Sequence, residues 1–184
     1  MMQQRIVQIR ETVLVYKKTQ LKSWRAGDKS LVSEFMTVPL AYVNQPTYHF
    51  GEAFALRHYH EAEWKGHSFF SLARQADTGA FKQGNDAVER IVPAGDLSRL
   101  RTLRAADPLT KHHAGEPDLF LYRETGQFMF AEVKKQSDYL RPSQRRSIEQ
   151  ILAVLGCPVD IVYLRGARQR YTPKTYEFDL MLID

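Results

Sequence analysis

The sequence predicts an α/β fold in which helices flank a central mixed β-sheet. Two strand-like runs, at residues 119–122 and 128–133, are joined by a polar linker that ends in glycine, which is typical of an antiparallel hairpin. An amphipathic helix is predicted after the hairpin, and a further strand-like run follows at residues 159–164. A helical crossover makes the strands on its two sides parallel, so the predicted sheet contains both orientations.

The N-terminal half of the chain gives weaker signals. Residues 6–16 fit either a helical period or a short buried strand, and the sequence leaves both open. Good helix formers predict a helix at residues 52–62, and residues 68–75 are predicted to form a second helix or its continuation. Recurring glycine, proline and charge at residues 77–114 predict loops, with a short helix at residues 97–103.

The C-terminal elements are the clearest ones. Pro142 suits the first position of a helix, and Gly156 suits the position just after its end. Between them, apolar residues recur at the spacing of one helix face: Ile148, Ile151, Leu152 and Leu155. Residues 176–183 are predicted to form a last strand.

Composition indicates a globular domain that meets a polyanion. The chain has 184 residues, 26 Lys and Arg against 21 Asp and Glu, and a formal net charge of +5, the sign expected of a phosphate-binding protein. The single cysteine, Cys157, excludes an internal disulfide and suits a reducing compartment. Without an apolar run that could form a signal peptide or a membrane span, we expect cytoplasmic action and no membrane partner.

The predicted hairpin carries three ionisable residues where apolar ones would pack better: Asp118, Glu132 and Lys134. Side chains alternate along a strand, so Glu132 and Lys134 point the same way, and hairpin pairing can bring Asp118 beside Glu132. Converging carboxylates repel unless a cation lies between them, and an oxygen-ligated ion such as Mg²⁺ is a common solution. A neighbouring lysine can orient water or stabilise charge on a phosphate, which is the chemistry of phosphodiester hydrolysis.

These residues carry a family resemblance. Pro117-Asp118 followed by Glu132-Val133-Lys134 resembles the PD-(D/E)xK nuclease signature, and the longer pattern over residues 115–165 resembles the VRR-NUC branch of that superfamily. The resemblance implies a restriction-endonuclease-like core and a DNA nuclease that uses Mg²⁺ or Mn²⁺. It also implies that Asp118 and Glu132 bind the metal, that Lys134 is catalytic, and that Gln144 faces the active site.

The predicted helix at residues 52–62 is similar to the first core helix of this family, whose glutamate joins the metal site. Glu52 is therefore the expected third metal ligand. The family often has a second glutamate after a Gly-x-His turn, whereas this chain continues from Gly66 without an acid. Glu61 and Glu63 are the alternative ligands.

Arginines after the hairpin are the predicted nucleic-acid contacts, because a nuclease must hold the DNA backbone. They crowd the start of the predicted C-terminal helix and a later loop: Arg141, Arg145, Arg146, Arg165, Arg168 and Arg170.

We divide the chain into residues 1–50, a segment packing on the core, and residues 51–184, the VRR-NUC-like domain. The resemblance makes DNA the expected partner, with flaps or junctions as substrates. The family that the chain resembles includes repair enzymes, phage enzymes and antibacterial toxins. If the chain is a toxin delivered into a target cell, an immunity protein should bind it. An inactive DNA-binding module and a protein-interaction domain with a basic face are the alternative functions, and the oligomeric state is open.

Overall fold

A computed structural model describes residues 3–73 and 78–182 of the chain. The strands are β1 (Gln3–Arg10), β2 (Thr12–Tyr16), β3 (Lys65–His67), β4 (Leu119–Tyr122), β5 (Phe128–Lys134), β6 (Val159–Gly166) and β7 (Thr175–Leu182). The helices are α1 (Lys18–Arg25), α2 (Ser30–Ser33), α3 (Leu40–Asn44), α4 (Phe50–Glu61), α5 (Ala80–Ile91), α6 (Ala94–Ala106) and α7 (Pro142–Val154). Among the described helices, none has the length and apolar character needed to cross a bilayer.

The central sheet has five strands in the order β2-β6-β5-β4-β3 and is mixed, as predicted. β4 and β5 form the predicted antiparallel hairpin, in which Leu119 lies opposite Ala131. α7 leads from β5 back to β6, which pairs with β5 in parallel. The pair is parallel because α7 carries the chain back to the edge of the sheet at which β5 begins, so that β6 runs in the same direction as β5.

Helices cover both faces of the sheet. Neighbouring side chains of a strand point to opposite faces, and the strands of the hairpin carry apolar side chains on both of them, so each face needs a covering layer. Phe120 and Phe130 belong to a buried cluster that includes residues of α5, α6 and α7. Leu119 and Leu121 belong to a second cluster, which includes residues of α4 and the N-terminal helices. The hairpin is therefore buried between two helical layers, and its polar residues are held in place from both sides.

The first strands settle the ambiguity at residues 6–16. Both β1 and β2 are extended, and β2 is an edge strand of the central sheet that runs parallel to β6. β1 instead pairs with β7 in an antiparallel two-stranded sheet. Residues 6–16 are extended because β1 and β2 pair with β7 and β6, which lie in the distant C-terminal half of the chain. The division of the chain at residue 51 stays a prediction.

The predicted helix at residues 68–75 is wrong for residues 68–73, and residues 74 and 75 lie outside the described part. Residues 68–73 form bends and turns. Their backbone amides bind side chains of other elements instead of helical carbonyls: Ser71 N donates to Asn85 Oδ1 at 2.7 Å, and Ala73 N donates to Glu116 Oε1 at 3.1 Å. Tertiary hydrogen bonds thus replace the local ones that the composition favours.

Residues 78–114 contain more helix than predicted. The short helix expected at residues 97–103 is present as part of α6, but the loop expected before it is the twelve-residue helix α5. Gly84 lies inside α5, where a Cβ atom would come within 2.0 Å of the carbonyl oxygen of Phe69. This glycine permits close packing of a helix on the chain beside it and does not end the helix.

Candidate active site

A cleft of about 630 Å³ lies at the open end of the β4–β5 hairpin, where β4 begins and β5 ends, opposite the turn that joins the two strands. It is lined by all five residues that were predicted to form the catalytic and metal-binding centre: Glu52, Asp118, Glu132, Lys134 and Gln144. Glu52 comes from the first turn of α4, Gln144 comes from the first turn of α7, and the other three come from the hairpin. The two helical layers and the sheet therefore meet at this cleft.

The register of the hairpin places the two acidic residues side by side. Because Leu119 pairs with Ala131, the residue before Leu119 meets the residue after Ala131 at the end of the ladder. The carboxylate of Asp118 accepts a hydrogen bond from the backbone amide of Val133 at 2.7 Å. This bond fixes Asp118 next to Glu132 across the two strands.

Three buried polar side chains form a closed network beside Asp118. Lys134 Nζ lies 2.7 Å from Glu132 Oε1 and donates a hydrogen bond to Gln144 Oε1 at 2.9 Å. Gln144 Nε2 donates a hydrogen bond to the same oxygen of Glu132. Gln144 also accepts a hydrogen bond from the backbone amide of Arg141 at 3.1 Å. The amide of Gln144 therefore orients both the lysine and the glutamate.

Burial makes this group of charges costly. It raises the pKa of Asp118 to about 6, and the nearby charge of Glu52 adds to the effect. Burial likewise raises the pKa of Glu132 to about 8, and the charge of Asp118 adds to that shift despite the opposing effect of Lys134. One ammonium group does not compensate the carboxylates that meet here.

The carboxylate pair offers a divalent cation few protein ligands. Within the described residues, Glu132 Oε2 is buried without a hydrogen-bond partner. Across residues 3–73 and 78–182, no three His, Cys, Asp or Glu side chains form a ready-made metal cluster. Mg²⁺ is commonly held by only one or two carboxylates together with water and substrate oxygens. The unpaired oxygen beside Asp118 fits that mode of binding.

Glu52 reaches the cleft, whereas its two alternatives do not reach it. Burial acts to raise the pKa of Glu52, but its interactions with His49 and Lys135 outweigh burial, and its pKa lies below the usual value. Glu61 is paired with Arg57 at 2.9 Å and lines a separate cavity. Glu63 is exposed in the turn after α4. Of the three glutamates, Glu52 alone lines the cleft that contains Asp118.

His49 is a residue of this site that the sequence analysis missed. It precedes α4 with a left-handed φ of 63°, which is uncommon for a residue other than glycine. Its Nδ1 atom lies 3.2 Å from Glu52 Oε1, and its ring stacks on Tyr42. His49 therefore orients Glu52. His49 and Glu52 are three residues apart at the start of a helix, which is the spacing of a capping box. This spacing was the signal in the sequence that could have identified His49 as a partner of Glu52.

The three arginines at the start of α7 have different surroundings. Arg141 is exposed and lines the cleft. Arg145 donates a hydrogen bond to the carbonyl of Glu177 at 2.7 Å and lies over the ring of Phe178. Arg146 pairs with Asp107 at 2.5 Å and with Glu149 at 3.4 Å. The structure brings Arg141 to the carboxylates, while the other two contact α7, β7 and the residue that follows α6.

The second group of arginines lies at the end of β6 and on the loop between β6 and β7. Arg168 and Arg170 are exposed on this loop, and Arg165 at the end of β6 donates a hydrogen bond to the carbonyl of Gln169 at 2.7 Å. Buried Glu11 anchors the loop by accepting hydrogen bonds from the hydroxyl of Tyr171 and the backbone amide of Lys174. These arginines therefore sit on an ordered, basic loop.

This basic loop is connected to the cleft. Gln169 Nε2 donates a hydrogen bond to Gln136 Oε1 at 3.0 Å. Gln136 lies in the turn after β5 and lines the cleft. The loop and the rim of the cleft thus form one surface, although the side chains of the loop do not line the cleft itself.

The raised carboxyl pKa values predict how stability depends on pH. Both groups bind protons more tightly in the folded chain, so their contribution to stability is full below about pH 4 and is lost as pH rises through about 6 and about 8. In EDTA, we expect the free energy of unfolding to fall by several kcal/mol over this window, and the midpoint of thermal unfolding to fall by at least roughly 10 °C.

Glu132→Gln is the control for this experiment, because it removes the group with the higher of the two pKa values. Its thermal midpoint should fall less than that of the wild type between pH 6 and pH 8.5. Equal slopes for the two proteins in this range would show that Glu132 is ionised in the folded state well below pH 8.

The sheet order and the hairpin at its centre place the protein in the restriction-endonuclease-like class of α/β folds. The VRR-NUC domain family matches residues 60–166, more than half of the chain. The chain therefore belongs to the VRR-NUC family of nuclease domains.

Two solved structures resemble the chain. Crystal structures of paFAN1 bound to 5′ flap DNA with a gap align with 88% and 89% of this chain, at TM-scores of 0.46 and 0.39 and sequence identities of 13% and 15%. The alignments cover 38% and 33% of those chains, so this chain spans little more than a third of their length. Comparison with curated proteins finds no similar sequence.

Proposed function

We propose that the protein is a divalent-metal-dependent DNA nuclease that hydrolyses phosphodiester bonds at the cleft. The observation that carries this proposal is the convergence of the buried carboxylate of Glu132, the half-buried carboxylate of Asp118 and the buried ammonium group of Lys134, with one oxygen of Glu132 left without a partner in the described part of the chain. A structural ion pair would need only one acid for one lysine. The second acid raises the electrostatic cost, which a bound cation would remove.

Each side chain of the centre has a separate role in this proposal. Asp118 and Glu132, joined by Glu52, would hold Mg²⁺ or Mn²⁺ at the open end of the hairpin. When bound, such an ion would supply positive charge at the phosphate and lower the pKa of water. Lys134 orients the attacking water and stabilises the negative charge that develops on the phosphate.

Gln144 acts through Lys134 and Glu132. Its carbonyl oxygen accepts a hydrogen bond from the lysine, and its amide nitrogen donates one to the glutamate, so both are held in fixed rotamers. Gln144 is therefore a positioning residue. Fixed donors that need no rearrangement are the main source of electrostatic stabilisation in an enzyme.

Structured DNA, such as a flap or a junction, is the proposed substrate. The paFAN1 structures contain flap DNA, and the basic loop next to the cleft offers contacts for a DNA backbone. Action in the cytoplasm, and blocking by an immunity protein if the chain is a toxin, complete the proposal.

A plasmid-nicking assay tests the proposed function. Wild-type protein should nick supercoiled DNA in Mg²⁺ or Mn²⁺ and should be inactive in EDTA. If no DNA is cleaved in either metal but binding weakens steeply with salt, the protein is a DNA-binding module. If DNA is neither cleaved nor bound, the basic face serves a protein partner.

Arg141 and Arg146 form a matched pair for testing the DNA contacts. The logarithm of the binding constant falls linearly with the logarithm of the salt concentration, and Arg141→Ala should make this slope less steep by about 1. The variant loses one phosphate contact at the cleft. Arg146→Ala should leave the slope unchanged, since Arg146 is held by Asp107 and Glu149. Fluorescence anisotropy of labelled DNA at several salt concentrations measures both slopes. An equal decrease for the two variants would contradict this assignment.

A further inference from the structure

Two exposed tyrosines line the cleft and have no part in the chemistry described above. Large apolar side chains that remain exposed are few in the described part of the chain, and the two aromatic ones among them are Tyr48 and Tyr139, at 65% and 68% exposure. Both line the cleft that contains Asp118 and Glu132. Exposed aromatic side chains beside a basic cleft are typical of surfaces that stack nucleobases.

Both tyrosines are presented by well-anchored backbone. The carbonyl of Tyr48 accepts a hydrogen bond at 2.9 Å from the indole nitrogen of Trp24, whose side chain is 1% exposed. Tyr139 follows a tight turn in which the backbone amide of Asp138 donates to the carbonyl of Lys135 at 2.9 Å, and it precedes buried Leu140. A ring on a fixed backbone loses little conformational entropy when a base stacks on it.

The two rings come from opposite layers of the fold. Tyr48 lies just before α4, which packs on one face of the hairpin, and Tyr139 lies just before α7, which packs on the other face. The carboxylates of the hairpin lie between these layers. A strand whose phosphate reaches Glu132 would therefore pass one tyrosine from each layer.

Charge and size favour a single strand as the occupant. Arg25, Lys135 and Arg141 are exposed and line the same cleft, so cations lie at the rim while the acidic groups lie deeper. A cleft of about 630 Å³ has the volume of a small-ligand pocket and suits individual nucleotides more than a duplex. Glu132, at 1% exposure, can be reached only by a phosphate that enters this space.

The geometry points to Tyr48 and Tyr139 as base-stacking residues that hold unpaired nucleotides while the phosphate to be cleaved lies at the carboxylates. This inference rests on the proposed nuclease function and identifies the residues that select unpaired DNA. Stacking would favour a frayed end or a flap over an intact duplex, because paired bases do not expose their faces.

Binding of fluorescent DNA tests this inference without cleavage. A single strand containing 2-aminopurine and a blunt duplex of the same length are titrated with the protein, with Ca²⁺ in place of Mg²⁺ to suppress hydrolysis. We expect Tyr48→Ala and Tyr139→Ala each to lower affinity for the single strand about tenfold and to reduce the quenching of 2-aminopurine. Affinity for the blunt duplex should change less than twofold.

Matched variants separate stacking from folding. Tyr48→Phe and Tyr139→Phe keep the ring and should bind the single strand within twofold of wild type. Leu40→Ala removes a side chain that is 73% exposed outside the cleft and should have no effect.

Two results would overturn the inference: wild-type affinity in both alanine variants, or an equal loss for single strand and duplex. If the wild type cleaves no DNA in Mg²⁺ or Mn²⁺, the proposed function fails. The quenching experiment measures binding and not cleavage, so it tests base stacking even if the protein has no nuclease activity.

Discussion

Asp118→Asn is expected to abolish DNA cleavage, with a loss of at least about 10³-fold in kcat. The asparagine keeps an oxygen that can accept the hydrogen bond from Val133 N, so the hairpin geometry should survive. It loses the negative charge that would hold a divalent ion beside Glu132. A single-turnover nicking assay at saturating DNA measures the loss.

The same substitution should make the metal-free protein more stable. Burial and the charge of Glu52 raise the pKa of Asp118, so its ionised form is unfavourable in the fold at pH 8. Removing that charge should raise the midpoint of thermal unfolding in EDTA by a few degrees. Added Mn²⁺ should stabilise the wild type and leave the variant unchanged.

Asp96→Asn is the matched control for this pair of measurements. Asp96 lies in the first turn of α6 and is 40% exposed, away from the cleft. Its replacement should change neither cleavage nor stability in EDTA appreciably. An Asp118→Asn protein that cleaves normally would remove Asp118 from the metal site, whereas one that is inactive and also less stable would indicate a structural role.

Lys134→Met is expected to reduce kcat by about 10²- to 10⁴-fold while the affinity for DNA changes little. Methionine fills a similar volume but cannot donate to Gln144 or balance the charge of Glu132. The pKa of Glu132 should rise further above its usual value, and protons should then compete more strongly with the metal at neutral pH. Cleavage rates and Mn²⁺ titrations at pH 7 and pH 9 measure both effects.

Lys135→Met provides the comparison within the same turn. Lys135 is exposed at the rim of the cleft and lies outside the buried network. Loss of the Lys135 ammonium group should lower the affinity for DNA and make that affinity less dependent on salt. The value of kcat should stay close to that of the wild type. If the two methionine variants behave alike, Lys134 acts as a general phosphate contact, and the catalytic role assigned to it is wrong.

The sequence predicted the hairpin and α7 well, because both depend on local patterns. The runs on either side of the polar linker are short and mostly apolar, as in buried strands, and the linker residues favour a hairpin. Pro142 and the apolar spacing up to Leu155 define a helix from neighbouring residues alone. The placement of Asp118 beside Glu132 follows from the register of that hairpin.

Features that depend on distant parts of the chain were not predicted. α5 contains Gly84, a poor helix former, which is favourable only because the backbone of Phe69 packs against it. Residues 68–73 look helical, yet Asn85 and Glu116 take their amide hydrogens. His49 and Tyr48 belong to the weakest part of the sequence pattern and reach the cleft only because α4 packs on the hairpin.

The most direct test of the central claim is the position of Mn²⁺ in a crystal of the protein, located by anomalous scattering. We expect a strong peak at the open end of the β4–β5 hairpin, with Asp118 and the Oε2 atom of Glu132 among its ligands and Glu52 completing the acidic side chains around it. A peak bound only by other residues, or no peak at a manganese concentration that supports cleavage, would rule out a metal centre at these carboxylates.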